Sequence, residues 1–174
     1  IPGVSIGINQ NGEKLYYNGV GFRDKEQGLP VTPDTVFGIA SITKSFTCVA
    51  IMQLQEAGKL SVHDKVITYL PEFRTPDQEK TEQITIHHFM TNSSGLPPLP
   101  SLLYANKRSM DKDPSSEDYP GLDIKESSQG PIDTYEELMA FIGGLDFKLL
   151  GPPGIHFSYS NDAFSLLGAI IERV

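Results

Sequence analysis

The stretch 41–57, SITKSFTCVAIMQLQEA, most limits what this chain can fold into. Ile42, Phe46, Val49, Ala50, Ile51, Met52 and Leu54 fall at helical spacing and cover most of a helix circumference. A helix apolar over so wide an arc is expected at the centre of a fold. Gly58 supplies its stop. One residue does not fit. Lys44 lies one turn inside the helix, where it must be desolvated and sits near the positive end of the helix dipole. Both penalties call for a chemical reason.

The surrounding pattern is mixed α and β. Residues 4–10 alternate apolar and polar, Asn11-Gly12 follows, and 13–22 continue as a second strand, which predicts a type I′ hairpin. Gly19 and Gly21 predict a bulge or a close backbone approach. Residues 62–70 predict a short helix ended by Pro71, 84–90 fit helix or strand, and 91–100 form a turn-rich loop. Residues 98–131, rich in Pro, Ser, Asp and Gly, read as a solvated surface loop, with a lid over a site as the functional alternative. Thr134 and Glu137 fit a capping box for a helix ending at Gly143-Gly144. A last helix runs from 161, with Asn161 as its N-cap.

Composition narrows the function. The 174 residues carry a net charge of −8, which argues against nucleic acid or an anionic membrane as partner. No run of 18 apolar residues is present to span a membrane. The single cysteine, Cys48, reads as a small core residue. His63, His87, His88 and His156 match no ligand pattern, so neither a metal nor an organic cofactor is expected.

Ser41 and Lys44 are i and i+3, so they share one helix face. Ser41 falls where free N–H groups favour developing negative charge. A serine hydroxyl becomes a nucleophile when a base takes its proton. Burial and the dipole push Lys44 toward the neutral amine that could be that base. Kept charged, it could stabilise an alkoxide or a neighbouring phenolate instead. Ser-x-x-Lys alone is expected about once by chance in a chain of this size. Ser109 to Lys112 is a second match, set among Asp111, Asp113 and Pro114 with no apolar face. Tyr-x-Asn occurs at Tyr16, Tyr104 and Tyr159. The third copy follows Gly151-Pro-Pro-Gly154 and opens a helix. There Tyr159 could shuttle a proton, and Asn161 could orient a substrate carbonyl, hold the lysine, or simply cap the helix.

Taken together, Phe37-Gly-Ile-Ala-Ser41-Ile-Thr-Lys44 and Phe157-Ser-Tyr159-Ser-Asn161 resemble the serine β-lactamase and penicillin-recognising superfamily. The tyrosine form of the second motif is similar to class C β-lactamases, D-Ala-D-Ala carboxypeptidases and related esterases. The opening IPGVSIGI, the loop around Ser94-Gly95 and SNDAFSLLGAIIERV fit as well. The resemblance implies Ser41 as acylated nucleophile, Lys44 with Tyr159 as base and proton shuttle, and Asn161 in contact with substrate and Lys44. It implies one oxyanion donor at the Ser41 N–H and a second on a later strand. The superfamily's third motif, Lys or His two residues before Gly, is absent.

The expected fold is α+β: an antiparallel sheet flanked by helices beside a mostly helical lobe, β-lactamase/transpeptidase-like and incomplete at both ends. Residues 1–58 would form the hairpin and nucleophile helix, and 59–174 the helical lobe, with the site where the lobes meet. The expected function is a serine hydrolase that forms an acyl-enzyme from an amide, β-lactam or ester carbonyl of a small molecule or peptide. The alternatives are a singly acylating or non-catalytic penicillin or peptide sensor on the same scaffold, and a structural domain with accidental motifs. Kinship implies a place outside the cytoplasmic membrane of a bacterium, peripheral to the cell envelope.

Overall fold

The computed structural model describes residues 1–112 and 129–174. Contacts divide the chain into two compact units, Ile1–Ala40 and Ser41–Val174. The nucleophile helix falls in the second unit, where it packs against the last helix of the chain.

The first unit is an antiparallel sheet of order β1-β2-β3, from β1 (Gly3–Gln10), β2 (Glu13–Asp24) and β3 (Leu29–Pro30). Asn11 and Gly12 turn the hairpin with φ of +52° and +83°, both in the left-handed region that a type I′ turn requires. The β1/β2 bulge falls between Ile8 and Asn9. Gly19 instead answers a close approach, since a Cβ there would lie 2.2 Å from the Val31 carbonyl oxygen.

The second unit is helical. Its elements are α1 (Thr43–Glu56), α2 (Val66–Tyr69), α3 (Gln78–Thr81), α4 (Ile86–Met90), α5 (Ser101–Ala105), α6 (Lys107–Lys112), α7 (Tyr135–Gly144) and α8 (Asn161–Arg173). Within residues 84–90 the helix is Ile86–Met90, where Thr85 caps α4 and His88 completes the capping box, while Thr85 also bridges to Lys65. Thr134 and Glu137 form the capping box expected for α7. The surface-loop reading of 98–131 is corrected in part. Residues 101–112 are helical, and Ser101 is buried at the base of α5. The remainder, 113–128, lies outside the described residues.

The central helix is α8, which packs against α1, α4, α5 and α7. It buries Ala163, Leu166, Leu167, Ala169 and Ile170 in a core shared with Ile51, Leu70, Phe73, Ile84, Phe89 and Ile142. Phe73 and Phe89 meet edge to face at 5.8 Å. Only Ile51 of α1 is fully buried, while Ile42 and Phe46 are each 64% exposed. A wide apolar arc states how much surface a helix offers for burial. It does not state which neighbour will cover it.

Candidate active site

A single 3-10 turn, Ala40–Ile42, delivers Ser41 to the start of α1. Ala40 has φ +44°, unusual for a residue with a side chain, so the backbone is strained immediately before the hydroxyl. No side chain caps the first turn of α1. Its free N–H groups and the positive end of its dipole therefore face the Ser41 neighbourhood.

Tyr159 and Asn161 come from the opposite end of the sequence, on the approach to α8 and at its first residue. Ser160 caps α8, accepting from the Ala163 N–H at 3.0 Å. This corrects the reading of Asn161 as the N-cap. With the cap supplied by its neighbour, the Asn161 side chain is available, and its Oδ1 accepts from Lys44 Nζ at 2.7 Å. Lys44 Nζ also donates to Ser41 Oγ at 3.4 Å, and the Ser41 and Tyr159 hydroxyls lie 2.5 Å apart. Two aromatic faces complete the surroundings of the amine. Its nitrogen stands 4.7 Å from the Tyr159 ring centre and 5.4 Å from that of Phe164.

All four residues singled out in the sequence therefore meet at one place within the second unit. Lys44 is half-buried there, while Ser41 and Tyr159 are exposed, so the desolvation anticipated for the amine is partial. An amide oxygen and two aromatic faces are partners suited to an ammonium. The neighbouring Lys44 and the hydrogen bond with Ser41 hold the Tyr159 phenol below its ordinary pKa, against a weaker opposing effect of burial. Phe164 escaped the sequence reading. It lies three residues beyond Asn161 on the same helix face, and that spacing was the available signal.

The other copies of the two motifs behave as packing and surface. Ser109 and Lys112 are exposed on α6. Tyr16 accepts from Asn18 Nδ2 on the hairpin, and Tyr104 packs edge to face on Phe141. Among the described residues, no three His, Cys, Asp or Glu side chains group so as to hold a metal ion. No described helix is long and apolar enough to cross a membrane.

The Beta-lactamase family profile matches residues 1–174. The chain belongs to the beta-lactamase family. Among its relatives, "Protein flp" of Staphylococcus aureus is 32% identical over the whole chain, which covers 30% of that protein. The structure of the octameric penicillin-binding protein homologue from Pyrococcus abyssi is 36% identical, with a TM-score of 0.78 over 99% of this chain and 35% of its own. EstCE1, described as a hydrolase with promiscuous acyltransferase activity, is 29% identical with a TM-score of 0.74 over 99% of this chain and 42% of its own. This beta-lactamase family chain thus spans about a third of the length of such relatives. Its antiparallel sheet and helices match the family fold, on a scaffold of the serine hydrolase and penicillin-binding type.

Proposed function

We propose that this chain carries the nucleophile of a serine hydrolase that acts through an acyl-enzyme on an amide, β-lactam or ester carbonyl. The 2.5 Å approach of the Ser41 and Tyr159 hydroxyls, beside an amine held by Asn161, carries the reading. The Tyr159 phenolate takes the proton of Ser41, and Oγ forms a bond to the carbonyl carbon. Lys44 balances the charge as it moves from phenolate to oxyanion. The Ser41 N–H receives the oxyanion. The tetrahedral intermediate collapses, the leaving group departs with the proton held by Tyr159, and the acyl group stays on Ser41. Water then attacks the ester by the same exchange in reverse. The acyltransferase activity named for EstCE1 supports an acyl-enzyme that persists long enough to meet an acceptor.

Substrates would be small molecules or peptides met outside the cytoplasmic membrane. The test uses the full-length protein with a fluorophosphonate, a fluorescent penicillin and a chromogenic ester. Labelling at Ser41, lost in Ser41→Ala, with continuous ester turnover is the expected result. A label that survives Ser41→Ala, or product release that ends after one stoichiometric burst, overturns the hydrolase reading.

A further inference from the structure

Asn92 has φ +53°, at a place where helices usually employ glycine. It follows Thr91, the C-cap of α4. The Asn92 N–H donates to the Phe89 carbonyl at 3.2 Å, and the Ser93 N–H donates to the His88 carbonyl at 2.8 Å. These are the two bonds of a Schellman ending. Glycine would make them with less strain, so helix termination does not explain the side chain.

The side chain is engaged elsewhere. Asn92 Oδ1 accepts from the Ser160 N–H at 3.0 Å, and the Asn92 carbonyl accepts from the Ser158 N–H at 2.7 Å. The two bonds fall on the residues immediately before and after Tyr159. Ser158 and Ser160 are buried, whereas Tyr159 is 42% exposed. Its ring therefore has little packing to hold it, and its approach to Ser41 depends on how the backbone on either side is fixed. Neighbouring bonds, from the Gly154 N–H to the Ser93 carbonyl and from Ser158 Oγ to the Leu96 carbonyl, tie the same two loops together. Of these bonds, it is those of Asn92 that bracket the tyrosine.

We propose that Asn92 is the positioning residue for the Tyr159 phenol, acting through its side-chain oxygen on the Ser160 N–H. The inference rests on the reading of Ser41 and Tyr159 given above. Two variants of the full-length protein separate its parts. Asn92→Gly keeps the left-handed backbone and the carbonyl bond to Ser158 but removes Oδ1. Asn92→Asp keeps an oxygen at that place.

The single-turnover rate of Ser41 acylation by a fluorescent penicillin at saturation is expected to fall roughly ten- to hundredfold in Asn92→Gly, the scale of a small misplacement of a reacting group. The concentration giving half-maximal rate should change little, and Asn92→Asp should return the rate close to wild type. Crystal structures of wild type and Asn92→Gly should differ in whether the Tyr159 hydroxyl lies within hydrogen-bond distance of Ser41 Oγ. Wild-type acylation by Asn92→Gly, equal slowing in both variants, or a Tyr159 that keeps its place in the glycine variant overturns the inference. If wild type itself is not acylated, the reading of Ser41 fails. The pair of crystal structures then still decides whether Asn92 places the ring.

Discussion

Lys44 is one side chain with four neighbours: the amide of Asn161, the hydroxyl of Ser41 and the rings of Tyr159 and Phe164. Its influence on the phenol gives a direct measurement. The Tyr159 pKa lies below the ordinary tyrosine value of about 10, with Lys44 as the largest cause. Lys44→Met should raise it, as followed by NMR of ring-labelled tyrosine with Tyr159→Phe assigning the signal. With the phenolate as the proposed base, acylation should decline as pH falls through the lowered pKa, and the decline should set in at higher pH in any variant that weakens the lysine contact. Tyr159→Phe should slow acylation by about 10²- to 10⁴-fold, the usual scale for a lost general base. These residues were legible in the sequence because hydroxyl, amine and phenol bear chemistry wherever they lie. The burial of the amine was not, because exposure depends on neighbours far along the chain.

At the scale of elements, local signals performed best where a few adjacent residues settle the outcome. Asn11-Gly12 and the Thr134/Glu137 box are of this kind, and the second can be tested simply. Thr134→Ala should lower stability by about 1 kcal/mol in urea unfolding. Cap assignment at α8 failed because Ser160 and Asn161 are both good caps, and the choice between them was made by the distant Lys44. Asp162 offers a sharper case. It is 3% exposed and takes a hydrogen bond from Ser101, yet burial raises its pKa. A raised carboxyl pKa in the folded chain means that the folded state takes up a proton before the unfolded state does as pH falls. Its stabilising contribution is then complete below the unfolded pKa and lost as pH rises through the folded one. Asp162→Asn should therefore be as stable as wild type or more so at pH 7, and wild type should gain on it as the solution is acidified. Guanidinium unfolding at neutral and mildly acidic pH gives the comparison. An advantage for wild type at neutral pH would show that the charge is well supported after all.

Over the whole molecule, burial and apolarity part company. Phe73 is fully buried in the helical core, and Phe73→Ala should cost about 3–5 kcal/mol in unfolding measurements. Phe46 is equally apolar and is 64% exposed on α1 of this chain. Sequence periodicity treats the two alike, and the gathering of α1, α4, α5 and α7 around α8 emerged only in three dimensions. The cap on Ser160 also governs how this chain tolerates changes of length. The acceptor for the amine is set by the residue at which α8 begins, and moving that start by one position would swing the Asn161 amide by roughly 100° around the helix axis. Ile155 and Phe157 lie just upstream and are both largely exposed in this chain. Losing or gaining one residue in that same short run would disconnect the two distant parts of the sequence that the site unites.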